Sequence, residues 1–331
     1  METLSSAVVV FLISAAFTIA GGIGLARYGD DLAEATGWGK LWVGTLLVGI
    51  GTSLPEVTVN ISAVWLEDSP GLALGNVFGA DMINVFVLAL VALAFGVNQV
   101  CGPQGRDTKL LILLAIAIVV LAAALGATGD MKLGPTSLGT LAIAALYLGG
   151  MRAVYKAGRT DMDLEDIPSP TGSARRAWIG FGISVVVVIV AARYLAGSAD
   201  RIAEFSGISA SFIGVLLVSV VTTLPEGSVT VTAALRKSYG IVMGNVYGSC
   251  FFNVFIFFIA DLFYRKGPLL GAMDAAHFAA AIAAVALMGM GYAVVRSCES
   301  RAFAWGRVFA PAIPVVYIGA LYVVYQLGQR A

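Results

Sequence analysis

The chain has 331 residues, of which 59% are apolar and only 12% are charged. Soluble domains carry about 25% charged residues, so this composition excludes a soluble enzyme, a disordered chain and a disulfide-stapled secreted domain. Twenty Lys and Arg balance twenty Asp and Glu, which leaves no basic excess for binding nucleic acid. The composition therefore predicts a protein that crosses a membrane several times.

Ten apolar runs are long enough to cross a bilayer, which takes about 20 helical residues. The sequence predicts an all-α integral membrane protein with spans at 5–26, 40–65, 71–97, 109–127, 136–155, 177–197, 209–235, 241–263, 269–295 and 305–327. The second and seventh spans are long enough to be tilted or bent. Residues 156–176 hold four acidic residues and two prolines, and we expect them to form a polar linker.

The distribution of basic residues predicts the orientation in the membrane. Fourteen of the twenty Lys and Arg lie on the linker side of the ten-span layout, and the opposite side carries Lys132, Arg193, Arg201, Arg265, Lys266 and Arg330. Because basic loops stay in the cytoplasm, we expect a multi-pass protein of the cell (inner) membrane. Its linker should be cytoplasmic and both of its termini outside.

Two pairs of segments about 170 residues apart repeat each other. Residues 51–56 (GTSLPE) match 221–226 (VTTLPE), and 75–86 (GNVFGADMINVF) match 244–255 (GNVYGSCFFNVF) at seven of twelve positions. The chain therefore divides into a first five-helix repeat (1–155), the linker (156–176) and a second five-helix repeat (177–331).

Five spans per repeat is an odd number, so the second repeat is inverted relative to the first. Inverted repeats place equivalent segments face to face across a pseudo-two-fold axis in the membrane plane. Secondary transporters bind their substrates at that interface, near the midplane, on broken helices. We therefore expect the repeated motifs to meet there.

Glu56 and Glu226 lie well inside the second and seventh spans. A carboxylate at the centre of a membrane helix costs about 2.5–3.5 kcal/mol on insertion scales, and neither repeated segment contains a Lys or Arg to offset it. Two such acids repel each other unless they are protonated or neutralised by cations. Their combined charge of −2 matches one divalent or two monovalent cations.

The prolines that precede these acids free backbone oxygens. Pro55 has no N–H for the carbonyl of Gly51, and Pro225 has none for that of Val221. Next to these carbonyls stand four hydroxyl side chains, those of Thr52, Ser53, Thr222 and Thr223. Hard oxygen ligands favour Na⁺, Mg²⁺ or Ca²⁺ over transition metals. Ca²⁺ is preferred over Mg²⁺ because it accepts six to eight flexible oxygens.

The second motif supplies further polar groups. Its glycines form small-xxx-small pairs that let helices approach closely. Asn84 and Asn253 are duplicated, and their amides serve either as cation ligands or as contacts between helices. Asp81 lies three residues before Asn84. It is either a third acid of the cation site or a group that faces another helix or a water-filled vestibule.

At these residues the chain resembles the calcium/cation antiporter superfamily, specifically the prokaryotic type of its sodium/calcium exchanger branch. The segments GTSLPE and GNVFGADMINVF resemble the first alpha repeat of that family, and TTLPE with GNVYGSCFFNVF resembles the second. The ten-span layout extends the resemblance over the whole chain.

The resemblance implies an antiporter that exchanges Ca²⁺ against Na⁺ by alternating access, with Glu56 and Glu226 as ligands of both ions. It implies as further ligands Thr52, Ser53, Thr222, Thr223, Gly49, Ser219, Ser249, Asn84 and Asn253. Ca²⁺ and Na⁺ are then substrates, and the lipid bilayer is the surrounding medium. No nucleic acid and no obligatory protein partner is expected.

The chain departs from the family pattern at Ala80 and Asp81, where the family usually has Ser and Asn. This change removes one hydroxyl ligand and adds an acid. Cys250 stands where Asn is common, and the acid that some relatives carry at Asn84 or Asn253 is not present. The number of Na⁺ sites is therefore open.

Three alternatives to Na⁺-driven Ca²⁺ exchange remain at this point. The first is an antiporter of Ca²⁺ or another divalent cation that is coupled to H⁺, and the second is a cation channel. The third is an intramembrane enzyme, for which the motifs offer no base beside Ser53 or Ser249. Three scattered cysteines and a single histidine form no metal or redox motif, so we expect neither an enzyme nor a resident cofactor.

Overall fold

The computed structural model describes residues 3–36, 52–100, 105–158, 174–235, 237, 239–299 and 304–329. These residues are almost entirely helical. The α-helices in chain order are α1 (Leu4–Thr36), α2 (Leu54–Trp65), α3 (Pro70–Phe95), α4 (Val97–Val100), α5 (Arg106–Thr128), α6 (Leu138–Gly158), α7 (Ala174–Ser206), α8 (Ala210–Ile213), α9 (Ser219–Leu235), α10 (Tyr239–Asp261), α11 (Ala275–Glu299) and α12 (Ala304–Gly328). Strand β1 (Lys132–Leu133) pairs with β2 (Thr136–Ser137) in an antiparallel hairpin between α5 and α6.

Nine helical stretches among the described residues are long and apolar enough to cross a membrane. They coincide with nine of the ten predicted spans. The other predicted span, 40–65, is described only from residue 52 onward, where α2 forms its final part; residues 37–51 lie outside the described part of the chain. The prediction of an all-α integral membrane protein is confirmed.

Two helices are longer than the apolar spans predicted for them. α1 continues to Thr36 although its predicted span ends at residue 26, and α7 runs from Ala174 to Ser206 although its predicted span ends at residue 197. α7 stops at Gly207, whose positive φ of 68° ends a helix without steric cost. Hydropathy marks the lipid-facing length of a helix, whereas its end is set by backbone chemistry.

The helices that carry the second motif lie at the centre of the bundle. In the most apolar stretch of each helix, 72% of α3 and 61% of α10 is buried inside the protein. The same share is 28% in α6 and in α12. α3 packs against α9, α10 and α11, while α1 packs along α7. The polar residues of α3 and α10 are therefore shielded from lipid.

The seventh span is broken into three pieces. A π-helical turn, Gly214–Val218, separates α8 from α9, and Pro225 lies inside α9. Single π turns inside helices are frequent at functional sites. The break lies just before the hydroxyl residues and the acid of the second Pro-Glu motif.

Glycines bring α3 into close contact with this broken span. A Cβ added to Gly75 would lie 2.3 Å from the carbonyl oxygen of Ser211, and one added to Gly79 would lie 2.4 Å from that of Val215. Both contacts are with backbone, as small-xxx-small packing requires. No atom of the described residues lies within 4 Å of a Cβ placed on Gly244 or Gly248, so the packing role of these two stays a prediction.

A buried histidine ties together the starts of three helices. His277 is 0% exposed, and its Nε2 lies 2.9 Å from the carbonyl oxygen of Gly71 at the start of α3. The backbone N–H of Asp274 donates to His277 Nδ1, and the hydroxyl of Ser211 donates to the Asp274 carboxylate at 2.6 Å. These bonds fix the first turns of α3, α8 and α11 against one another.

Candidate cation-binding site

The two Pro-Glu motifs place their acids in different local structures. Pro55 is the second residue of α2, so Glu56 lies in the first turn, where a negative side chain is favoured by the helix dipole. Pro225 lies inside α9, so Glu226 follows a point where one backbone hydrogen bond is lost. Both acids are only 1% exposed.

The motifs meet through hydrogen bonds that cross between them. Ser53 donates its hydroxyl hydrogen to Glu226 Oε1 at 3.1 Å, and Thr223 donates to Glu56 Oε1 at 3.5 Å. Ser53 and Thr223 occupy equivalent positions, three residues before the acid of their own motif. Each acid therefore receives a hydroxyl from the opposite motif, which brings both carboxylates into one site.

One oxygen of each acid is left without a partner. Glu56 Oε2 and Glu226 Oε2 are buried and make no hydrogen bond, and neither acid takes part in an ion pair among the described residues. A buried anionic oxygen in this state is costly unless it is protonated or binds a cation. Among the described residues, no three His, Cys, Asp or Glu side chains lie close enough together to hold a metal ion.

Amides support the backbone of both acids. Asn60 Nδ2 donates to the carbonyl oxygen of Glu56 at 2.8 Å. Asn245 Nδ2 donates to the carbonyl oxygen of Glu226 at 3.0 Å and to Thr230 Oγ1 at 2.8 Å. The sequence reasoning did not single out these asparagines. A signal was available for Asn245, because its repeat equivalent is also Asn.

The hydroxyl residues in and near the two Pro-Glu motifs make both local and cross-repeat contacts. Thr222 Oγ1 donates to Asn76 Oδ1 on α3 at 3.1 Å. Ser219 is 0% exposed and donates its hydroxyl to the carbonyl of Val215 in the π turn at 2.5 Å. Thr52 is also fully buried. Gly49 lies outside the described residues.

Asp81 pairs with the other half of the chain. Asn253 Nδ2 on α10 donates to Asp81 Oδ1 at 3.1 Å, and the Cys250 thiol donates to the Asp81 carbonyl oxygen at 3.8 Å. Asp81 Oδ2, Asn253 Oδ1 and Asn84 Nδ2 are buried and have no hydrogen-bond partner among the residues that the structure describes. Ser249 is 8% exposed on α10. The second motifs therefore also meet, between α3 and α10.

A helical membrane bundle with paired acids on interrupted helices is typical of secondary transporters. Residues 6–155 and 176–326 match the sequence model of a family described as sodium/calcium exchanger protein. The match covers most of the chain, which therefore belongs to this family of membrane exchangers. The family membership predicted from the motifs is confirmed, and it places the chain among multi-pass membrane transporters.

A named relative agrees with this assignment, and two solved structures have the same fold. The sodium/calcium exchanger MaX1 of Methanosarcina acetivorans is 27% identical over 290 residues, which are 77% of this chain and 82% of that protein. The structure of the sodium-calcium exchanger NCX_Mj soaked with Na⁺ and without Ca²⁺ is 23% identical and superposes with a TM-score of 0.62 over 97% of this chain and 99% of that one. The crystal structure of the H⁺/Ca²⁺ exchanger CAX is 14% identical, with a TM-score of 0.67 over 98% and 87%.

Proposed function

We propose that the chain is an antiporter that exports Ca²⁺ from the cell in exchange for Na⁺, by alternating access to the site formed by Glu56 and Glu226. The observation that carries this proposal is the pair of crossed hydrogen bonds, which bring two buried acids into one site. The two ionised carboxylates have a combined charge of −2, which suits one Ca²⁺ or two Na⁺.

The exchange follows from the cost of moving charge through the membrane. With no cation bound, two carboxylates would have to cross a low-dielectric environment while repelling each other. Bound Ca²⁺ or bound Na⁺ removes that charge, so only the loaded protein changes the side to which it opens. The two ions compete for the same acids, and each one leaves when the other replaces it.

The neutral ligands proposed for the site are the oxygens of Thr52, Ser53, Thr222, Thr223, Gly49, Ser219, Ser249, Asn84 and Asn253. Hydroxyl, carbonyl and amide oxygens complete the six to eight contacts that Ca²⁺ accepts. Asp81 is proposed as a further acid at the edge of the site. Its contact with Asn253 supports this placement.

Na⁺ is proposed as the counter-ion because MaX1 is described as a sodium/calcium exchanger. MaX1 is 27% identical to this chain over 77% of this chain's length. Uptake of ⁴⁵Ca²⁺ into proteoliposomes, driven in turn by an outward Na⁺ gradient and by an outward H⁺ gradient, tests the assignment. We expect uptake with the Na⁺ gradient. Uptake with the H⁺ gradient alone would instead establish the H⁺-coupled alternative.

We expect Glu56→Gln and Glu226→Gln each to lower Na⁺-driven ⁴⁵Ca²⁺ uptake by more than about 100-fold. Changes in the surroundings of a metal site already cost about 10- to 100-fold in affinity, and these changes remove a charged ligand. Glu204→Gln is the matched control, because Glu204 is exposed and pairs with Arg201. Full uptake by either site variant would refute the proposed site.

A further inference from the structure

Two asparagines occupy equivalent positions in the repeated second motifs but make different contacts. Asn245 on α10 donates both of its amide hydrogens within its own repeat, to the Glu226 carbonyl oxygen at 3.0 Å and to Thr230 Oγ1 at 2.8 Å. It therefore holds the backbone of the acid in place. It does so from a neighbouring helix.

Asn76 on α3 is bonded across the repeats instead. Its Oδ1 accepts the hydroxyl hydrogen of Thr222 at 3.1 Å, while its Nδ2 is buried and has no partner in the described part of the chain. Asn60, which is the equivalent of Thr230, already donates its Nδ2 to the Glu56 carbonyl oxygen at 2.8 Å, and its buried Oδ1 has no partner among the described residues. Both side chains are 0% exposed, and buried polar atoms in this state destabilise a fold.

The two unpartnered atoms are a donor and an acceptor at matching positions. Asn76 Nδ2 and Asn60 Oδ1 are the equivalents of Asn245 Nδ2 and Thr230 Oγ1, which are bonded in the second repeat. The first repeat thus carries the groups for the same contact without making it in this conformation. An inverted pair of repeats that alternate in role accounts for such a difference, because each repeat adopts the other's arrangement when the transporter opens to the opposite side.

We infer that Asn76 and Asn245 exchange these arrangements during transport and act as positioning residues for Glu56 and Glu226. This inference rests on the proposed alternating access. In the present conformation Asn245 supports Glu226 while Asn76 joins the repeats through Thr222. In the opposite conformation Asn76 supports Glu56 and bonds Asn60, and Asn245 joins the repeats.

Gly75 and Gly79 lie against the backbone of residues 211–215, so α3 packs tightly on α8 and the π turn in the present conformation. As part of the same inference, this contact loosens in the opposite conformation. The Asn76–Thr222 bond involves the same two segments, α3 and the broken seventh span. Amide hydrogen exchange in residues 210–218 therefore reports how much of the protein is in the present arrangement.

The two asparagines should affect the population of the present conformation in opposite directions. Asn245 donates two hydrogen bonds in the present conformation and would accept one in the opposite conformation. Asn245→Ala therefore removes more bonds from the present conformation and disfavours it. Asn76 accepts one here and would donate two there, so Asn76→Ala disfavours the opposite conformation. A net difference of one hydrogen bond shifts the population ratio by roughly fivefold.

Hydrogen–deuterium exchange of the full-length protein in detergent, without added Ca²⁺, tests the inference. We expect Asn245→Ala to raise deuterium uptake in 210–218 and Asn76→Ala to leave it unchanged or lower it. In the variant that carries both substitutions, deuterium uptake in 210–218 should fall back towards the wild-type value. Thr58→Ala, whose hydroxyl bonds only within its own helix, is the control and should match wild type.

The inference is overturned if Asn245→Ala leaves uptake unchanged, if Asn76→Ala raises it, or if the double variant equals or exceeds Asn245→Ala. Should an alanine variant fail to fold, the isosteric Thr230→Val removes only the second acceptor of Asn245. It should raise uptake by a smaller amount, and unchanged uptake would count against the inference. Because the measurement involves no transport, a protein that fails to exchange Ca²⁺ refutes the proposed function separately.

Discussion

At the scale of single residues, Glu56 and Glu226 differ from ordinary buried acids in their hydrogen-bond partners. Each accepts a hydroxyl hydrogen from the opposite motif and keeps one carboxylate oxygen unpartnered. No basic residue pairs with either among the described residues. A structural acid in a membrane helix is stabilised by a partner, so this arrangement favours a binding role.

The crossed hydroxyls should contribute to cation affinity. We expect Ser53→Ala and Thr223→Ala each to raise the Ca²⁺ concentration for half-maximal uptake by about 10- to 150-fold, since a hydrogen bond to a charged group contributes about 1.5–3 kcal/mol. The effect of Ser53→Ala should be at least as large, because its bond is shorter. The measurement is initial ⁴⁵Ca²⁺ uptake as a function of Ca²⁺ concentration.

Ser14→Ala is the control for these two variants, since the Ser14 hydroxyl bonds only to carbonyls of its own helix. Its half-maximal concentration should equal that of wild type. If Ser53→Ala and Thr223→Ala also behaved as wild type, the crossed hydrogen bonds would have no part in binding.

At the scale of helices, the break in the seventh span decides where the second Pro-Glu motif (221–226) lies. The π turn Gly214–Val218 and Pro225 free backbone groups on both sides of the hydroxyl residues. Irregular backbone at membrane depth is tolerated only where protein or a cavity surrounds it. The glycines of α3 provide that surrounding, because they let its backbone cover the π turn.

A side chain added where α3 contacts the π turn should therefore destabilise the fold. We expect Gly79→Ala to lower the melting temperature of the purified protein by several degrees, because the added Cβ would lie 2.4 Å from the Val215 carbonyl oxygen and 2.7 Å from its Cα. Overpacking of this kind costs about 1–3 kcal/mol. Gly149→Ala on α6 is the control, since no described atom lies within 4 Å of its Cβ. Equal melting temperatures would contradict the packing role.

At the scale of the whole molecule, the reciprocal contacts join α2 to α9 and α3 to α10. The pairs Ser53–Glu226 and Thr223–Glu56 relate the first motifs, and Asp81–Asn253 relates the second. Contacts of this kind are expected when two similar units face each other across an axis in the membrane plane. They support the proposed division into repeats of 1–155 and 177–331, joined by the linker 156–176.

The orientation of the molecule is tested by reporter fusions. We expect alkaline phosphatase fused after residue 329 to be active and green fluorescent protein at the same place to be dark, because the bias of basic residues places that end outside. Fusions within 156–176 should give the reverse result. Fluorescence after residue 329 together with an inactive phosphatase would invert the proposed topology.

The sequence by itself determined the membrane class and nine of the spans seen in the described residues, because hydropathy acts locally along the chain. The family followed from the resemblance of the repeated motifs to a known family. The choice of Glu56 and Glu226 as the central acids is a prediction from the cost of burying charge. Helix ends such as Gly207 were missed because hydropathy does not register backbone geometry.

Only the tertiary structure decided which polar groups meet. The crossed hydroxyl bonds, the pairing of Asp81 with Asn253 and the unequal contacts of Asn76 and Asn245 all join residues more than 10 positions apart. The spacing of a motif fixes which residues share a helix face, but it does not fix which helix packs opposite that face. That choice depends on how the whole bundle packs, so the polar partners of the site emerge only when the helices are assembled.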